Sequence, residues 1–268
     1  MNLFEKQVNE FARRHIGSNE AETRQMLQRI GVKSLDELID NTIPQNIRYS
    51  QPLQVTPAVS EYDYLKLLRG IASKNKVFKN YIGQGYYDTI TPSVILRNVF
   101  ENPGWYTQYT PYQAEISQGR LESLLNFQTL VSDLTGLPIA NASLLDEGTA
   151  AAEAMIMFFN QKNKDHDHVT VPRFFVDEAI FSQTKDVLAT RAEPLGIEIV
   201  TGRAEQATID SGFFGAIVQY PDNHGNIRDY RSFIRKVHEA SAFVVMATDL
   251  LALTLLAPPG ELGAYAAV

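Results

Sequence analysis

The pattern that decides the fold lies in residues 168–201, which read HVTVPRFFVDEAIFSQTKDVLATRAEPLGIEIVT. Two β-rich runs, 169–171 and 174–176, precede a predicted helix over 178–190, and a third β-rich run covers 197–201. Parallel strands need a long crossover, usually a helix, so this order of elements is typical of parallel pairing. The same alternation continues with β-rich runs at 216–219 and 243–247 around a predicted helix over 230–240. The sequence therefore predicts an α/β fold with a mostly parallel sheet covered on both faces. The apolar run 250–256 follows, and we expect it to lie exposed at the edge of an incomplete sheet.

The first part of the chain has a different pattern, and we predict a helical N-terminal segment with an extended arm over 1–75. Phe4, Val8 and Phe11 follow helical spacing towards Gly17, and Ser18 is placed to cap the next helix. Ser34 followed by Glu37, and Ser60 followed by Asp63, predict two further helix starts. Residues 43–57 contain three prolines and no clear period, which is typical of an arm or linker. Residues 76–268 then form the predicted α/β domain.

Composition limits the classes of function. The chain has 268 residues, with 24 Lys+Arg against 31 Asp+Glu, a net charge of −7 and 44% hydrophobic residues. This is a globular composition, and its acidic balance argues against a nucleic-acid partner. No apolar run approaches the length of a membrane span, and the first residues do not resemble a signal peptide. The absence of cysteine excludes disulfides and thiolate metal sites in this chain. We expect a cytoplasmic protein without a membrane or nucleic-acid partner.

Two tyrosine-rich loops, 81–89 and 109–119, are the strongest candidates for a site that can be read from residue types alone. They present phenols, hydroxyls and carboxylates in segments held between predicted helices, and functional residues favour such loops. The turn signal Asn102-Pro103-Gly104 lies between them, so the chain can double back and bring both loops to one pocket wall. The alternative is that these tyrosines only pack on the core. The candidates for the pocket wall are Tyr86, Tyr87, Asp88, Thr89, Tyr112, Glu115 and Ser117.

Other catalytic motifs are missing from the sequence. It contains no nucleophile elbow, phosphate-binding loop or dinucleotide fingerprint. His166-Asp167-His168 contains potential metal ligands, but its polar surroundings favour a solvated loop, and we predict no metal site.

Five stretches of the sequence closely resemble the glycine dehydrogenase (decarboxylating) family, the P-protein of the glycine cleavage system. They appear in the family's order and cover nearly the whole chain. The stretches are RHIG (14–17), GQGYYDT (83–89), PGWYTQYTPYQAEISQGR (103–120), ANASLLDEGTA (140–150) and YPDNHG (220–225).

The resemblance implies a pyridoxal-phosphate enzyme with the aspartate-aminotransferase-like fold (PLP fold type I). In this family the N-terminal half resembles a cofactor domain but lacks the covalent lysine, which the C-terminal half carries. This chain resembles the front part of the N-terminal half, and Ala257 stands where the family pattern leads us to expect Lys. Asp249 occupies a position where related domains place the partner of the pyridine nitrogen, so it is a degenerate cofactor-binding residue. Asp146 and Glu147 begin a helix where related domains bind phosphate, and their charges would repel it.

The resemblance also implies the partners and the reaction. We expect the chain to act with a C-terminal half or second subunit of the P-protein, in a homo-oligomer, on glycine and the lipoyl arm of H-protein. Pyridoxal phosphate would be held by the lysine-bearing half, and this chain alone would be inactive. One alternative is a non-catalytic interaction or scaffold domain that pairs with a catalytic half. The other is an autonomous enzyme of different chemistry, which the missing motifs disfavour.

Overall fold

The computed structural model describes residues 2–49, 51–106, 113, 115–116, 118–141, 143–164 and 170–268, without the side chain of Phe4. The chain divides into two compact units, residues 1–79 and 80–268.

The first unit consists of short helices. They are α1 (Leu3–Val8), α2 (Glu10–His15), α3 (Glu20–Ile30), α4 (Leu35–Thr42) and α5 (Glu61–Ala72). The single helix predicted before Gly17 is wrong, because the chain breaks at Asn9. The Asn9 side-chain amide donates to the Glu5 carbonyl oxygen, a local hydrogen bond that competes with helix continuation.

Helix caps in this unit follow the expected chemistry with one exception. The hydroxyl oxygens of Ser34 and Ser60 accept hydrogen bonds from the backbone N–H groups three residues later. Asn19, rather than Ser18, caps α3. Its side-chain oxygen accepts from the N–H of Glu22, whose carboxylate accepts from the N–H of Asn19, so both ends of the reciprocal cap are satisfied.

The second unit contains all the strands found in the described part of the chain. Its helices are α6 (Ser93–Ile95), which runs into a π-helical turn (Leu96–Phe100), α7 (Gln118–Thr135), α8 (Glu147–Asn163), α9 (Ser182–Ala192), α10 (Arg231–Glu239) and α11 (Pro259–Leu262). Its strands are β1 (Arg173–Asp177), β2 (Glu198–Gly202), β3 (Phe213–Tyr220), β4 (Phe243–Thr248) and β5 (Ala266–Ala267). Short 3₁₀ turns cover Glu193–Leu195 and Ala252–Thr254.

The strands form one sheet in the order β2-β1-β3-β4-β5, and every pair is parallel. The predicted α/β fold with a parallel sheet after a helical segment is confirmed. All eight residues of β3 are buried, as expected for a central strand with helices on both faces.

Alternate side chains of the strands supply two cores. On one face, Ile217 and Val245 pack in a cluster with the buried side of α8, which includes Met155. On the other face, Val218 and Met246 pack with α10. This alternation determines which face each residue at the end of a strand presents.

Two local predictions are wrong in the part of the sequence around β1. Residues 170–172 are irregular and the strand starts at Arg173, while Val169 lies outside the described residues. The helix predicted from 178 begins only at Ser182, because the Asp177 carboxylate accepts from the Ala179 N–H and holds a turn there.

The run 250–256 also differs from its prediction, because it is not a sheet edge. It folds into a 3₁₀ turn in which Leu253 is buried while Leu255 is exposed, and β5 pairs with β4 instead.

Candidate functional site

The candidate site lies at the carboxyl edge of the sheet, where β3 and β4 end beside the start of α8. Gln219 pairs in register with Ala247, and Tyr220 pairs with Thr248. Open parallel sheets bind ligands outside the carboxyl ends of their strands. This edge is therefore where chemistry is expected first.

The loop 81–89 is anchored at this edge. Gly83 and Tyr86 form an isolated β-bridge, and Gln84 and Gly85 have φ angles of 55° and 85°. A Cβ atom on Gly85 would lie 3.0 Å from the Phe181 ring, so only glycine allows both the left-handed backbone and this close approach. The loop therefore lies against the start of α9.

Tyr87 connects this loop to the end of β4. Its hydroxyl donates a hydrogen bond of 2.8 Å to the Asp249 Oδ2 atom. This bond raises the pKa of the Tyr87 phenol, and burial and the charges of Asp249 and Glu147 raise it further. The phenol is therefore a neutral hydrogen-bond donor near pH 7.

The two carboxylates at the start of α8 have different roles. Asp146 is the N-cap, and its Oδ1 accepts from the Thr149 N–H at 2.7 Å, which lowers the pKa of Asp146. Burial raises the pKa of Glu147, against a smaller lowering by the neighbouring Gln219 side chain. Asp146 is therefore the cap of α8, whereas the Glu147 side chain is half-buried beside Gln219.

A second charged network lies at the ends of β1 and β2. A cavity of about 570 Å³ is lined there by Asp177, Arg203, Glu205, His224 and Arg228 among others. Burial raises the pKa of Asp177, although its carboxylate accepts from the N–H groups of Ala179 and Ala204.

Arg228 closes this network. Its Nε donates to the Asp222 Oδ2 at 2.8 Å, and it also pairs with Glu205. Burial alone would raise the pKa of Asp222, but hydrogen bonds from Arg228, Asn226 and His224 together hold it below its usual value. Arg203 pairs with Glu178, so each arginine and each carboxylate of this network has a partner among the described residues, as in a structural ion-pair network.

The structure brings together only some of the residues selected from sequence. Tyr87 and Asp249 are in contact, whereas the side chains of Tyr86, Asp88, Thr89 and Glu115 are exposed. Tyr112 and Ser117 lie outside the described residues, as do the three residues of the His166-Asp167-His168 run. The shared wall between the two loops stays a prediction.

Sequence reasoning missed Gln219, which is 3% exposed at the end of β3. The sequence did contain a signal for it, namely a glutamine near the end of an otherwise apolar strand. A buried amide needs hydrogen-bond partners, so such a residue is a candidate for a polar site.

Neither a membrane helix nor a metal cluster is found in the part of the chain that the structure describes. None of its helices is long and apolar enough to cross a bilayer. No group of three or more His, Cys, Asp or Glu side chains among the described residues is placed to hold a metal ion.

The fold and the site define the chain as an α/β domain with a parallel sheet and a polar carboxyl edge, and comparisons with known proteins identify the family. The family profile for the glycine cleavage system P-protein matches residues 13–268. The chain belongs to the glycine cleavage system P-protein family.

Individual relatives agree with this assignment. A glycine dehydrogenase (decarboxylating) of Nostoc punctiforme is 56% identical over 269 residues, which cover 100% of this chain and 27% of that protein. The corresponding protein of Flavobacterium johnsoniae is 52% identical, over 96% of this chain and 27% of that protein. The chain therefore spans about a quarter of the length of these relatives.

A solved structure shows the same fold. The crystal structure of glycine decarboxylase (P-protein) of the glycine cleavage system, in inhibitor-bound form, has a TM-score of 0.80 and 30% sequence identity. The match covers 92% of this chain and 56% of that chain.

The carboxyl edge does not fit pyridoxal phosphate. A phosphate at the start of α8 would meet the carboxylates of Asp146 and Glu147. The amino groups of Lys162 and Lys185 donate to the carbonyl oxygens of Ser241 and Glu178, so neither is free to hold a cofactor.

Proposed function

We propose that this chain is the N-terminal part of a P-protein that decarboxylates glycine and passes the aminomethyl group to the lipoyl arm of H-protein. The observation that carries the proposal is the family match over residues 13–268, together with 56% identity to a glycine dehydrogenase (decarboxylating). When bound by the lysine-bearing part, pyridoxal phosphate supplies the electron sink that no side chain provides. We place the reaction in the cytoplasm, in a homo-oligomer.

The chain's own contribution is to form one wall of the substrate pocket. Tyr86, Asp88 and Thr89 are exposed around Tyr87, which the Asp249 carboxylate holds as a hydrogen-bond donor. Phenol and hydroxyl groups of this kind can orient a small carboxylate substrate and exclude water from it. In this proposal the second loop, with Tyr112, Glu115 and Ser117, completes the same wall.

Exchange between glycine and labelled bicarbonate tests the proposal. We expect no exchange with this chain alone, and exchange when the lysine-bearing part, pyridoxal phosphate and the lipoylated carrier are added. Exchange by the chain alone would contradict it.

The Tyr87→Phe substitution tests the pocket wall in the complete protein. Loss of the hydroxyl should lower the exchange rate about 10- to 1000-fold, the range expected when a positioning contact is lost. Tyr81→Phe is the matched control, because Tyr81 is 86% exposed on the same loop and should keep the wild-type rate. Wild-type rates for Tyr87→Phe and Glu115→Gln would favour the alternative, a scaffold domain without a role in the pocket.

A further inference from the structure

Four buried side-chain oxygen atoms among the described residues have no hydrogen-bond partner, namely those of Glu147 (Oε1), Gln219 (Oε1), Asn223 (Oδ1) and Thr248 (Oγ1). The Glu147 and Gln219 atoms form a pair of acceptors at the carboxyl edge. The Gln219 Nε2 donates to the Ala247 carbonyl oxygen at 3.4 Å, which fixes the amide so that its other atom is the acceptor. A buried acceptor without a donor is destabilising, and most buried polar groups have a partner, so this pair points to a missing donor.

The two acceptors face the same region. Gln219 lies two residues after Ile217 along β3, on the sheet face that packs against α8. The Glu147 side chain at the start of α8 is close enough for Gln219 to influence its pKa. The carboxylate of Asp249 reaches the same region through Tyr87, which is near both acids.

The region carries uncompensated negative charge. Within the described residues, neither Glu147 nor Asp249 forms an ion pair with Lys, Arg or His. The helix dipole places only about half a positive charge at the start of α8, and the carboxylate of Asp146, the helix cap, already lies against it. A group that brings donors and positive charge would satisfy both the orphaned oxygens and the carboxylates.

We propose that Glu147, Gln219 and Asp249 form a binding site for a primary ammonium or guanidinium group. An ammonium group has three donors and no acceptor, which matches a cluster of orphaned acceptors. A phosphate would add acceptors and negative charge to a site that already has both, and no group of three or more His, Cys, Asp or Glu side chains among the described residues is placed to hold a metal ion. Tyr87, which donates to Asp249, is 57% exposed. This inference does not depend on the proposed function.

The cation can come from two sources with the same chemistry. One is a small free amine, and the other is a lysine or arginine side chain from a part of the protein outside this chain. The experiment separates them.

Titration of the chain with ethylammonium chloride, followed by NMR of ¹⁵N-labelled glutamine side chains, tests the site. We expect a saturable shift of the Gln219 amide, assigned with a Gln219→Met variant. Tetramethylammonium chloride at equal ionic strength has the charge but no N–H donors, and should leave the amide unchanged. Glu147→Gln should weaken ethylammonium binding at least 10-fold. Glu153→Gln is the matched control on the exposed side of α8, and should bind as the wild type does.

Two results would overturn the proposal. One is equal response to both cations. The other is no saturable shift, which would mean that Glu147 and Gln219 only share a proton. If the chain binds ethylammonium, the same titration of the complete protein shows whether the natural cation is a free amine or a side chain. Retained binding assigns the site to a free amine, and lost binding assigns it to a side chain of the remaining protein. Carbodiimide coupling to Glu147 and mass spectrometry then identify that side chain if it is a lysine.

Discussion

Asp222 shows how one residue organises the end of a strand. Its carboxylate accepts hydrogen bonds from the backbone N–H groups of His224 and Asn226 and from the Arg228 side chain, and its own side chain is 0% exposed. These hydrogen bonds shape the turn within the YPDNHG motif. The role of Asp222 is therefore structural. By contrast, Glu147 and Gln219 each have a buried side-chain oxygen atom without a hydrogen-bond partner.

The Asp222→Asn substitution should destabilise the chain by about 2 kcal/mol at pH 7, since charged hydrogen bonds are lost inside the protein. Because the folded-state pKa of Asp222 is lowered, its carboxylate stabilises the fold above the usual value of 3.8, and that contribution disappears as the pH falls below it. The difference between wild type and variant should therefore shrink below about pH 4. Chemical denaturation between pH 3 and pH 7 measures the free energy of unfolding of both proteins.

Asp229→Asn is the control. Because Asp229 lies in an exposed ion pair, this substitution should change the free energy of unfolding by less than about 0.5 kcal/mol. A pH-independent difference for Asp222→Asn would contradict the argument.

The element that organises the site is α8, which supplies both the core and the start of the carboxyl edge. Its Ala-rich side, including the fully buried Ala151 and Met155, packs against the sheet. That packing fixes where Asp146 and Glu147 lie. The small residues also permit close approach of the helix, as with Gly148, where a Cβ atom would lie 3.1 Å from the Val187 side chain.

Removal of the α8 cap gives a test at the scale of the element. Asp146→Ala should lower Tm by about 2–4 °C, the usual effect of losing an N-cap in a chain of this size. Asp146→Asn keeps a good capping side chain, so its Tm should fall clearly less than that of Asp146→Ala. Thermal unfolding followed by circular dichroism measures both. Equal Tm values for Asp146→Ala and the wild type would show that packing alone positions α8.

At the scale of the whole molecule, negative charge collects at the carboxyl edge of the parallel sheet. Asp146, Glu147 and Asp249 contribute carboxylates to this edge, and these would repel a phosphate. We therefore expect no phosphate-bearing cofactor to bind at this edge.

Incubation with pyridoxal phosphate and borohydride tests whether this chain binds the cofactor covalently. We expect no single lysine of this chain to be modified stoichiometrically, because Lys162 and Lys185 are engaged by carbonyl oxygens and the edge repels phosphate. Peptide mass spectrometry gives the extent of modification at each lysine. The lysine-bearing part of the protein, treated in parallel, is the positive control. One stoichiometrically modified lysine in residues 80–268 would contradict the prediction.

The sequence by itself determined the order of the elements and the class of the fold. The alternation of β-rich and helical runs after residue 168 predicts the parallel sheet, because hydrophobic period and crossover length are local properties of the chain. The helix caps at Ser34 and Ser60 could also be predicted, because a cap depends on residues only three positions apart. The family resemblance likewise depends on strings of neighbouring residues.

Only the tertiary structure decided the chemistry of the carboxyl edge. Tyr87 and Asp249 are separated by 162 positions, and their contact exists only because the loop 81–89 lies near the end of β4. The local errors have a similar cause, since the Asp177 carboxylate delays the helix to Ser182 through a hydrogen bond that propensity does not include. Glu147 resembles an ordinary first-turn carboxylate in the sequence. Its burial beside Gln219 comes from the packing of α8 on the sheet, and burial is what leaves its oxygen without a partner.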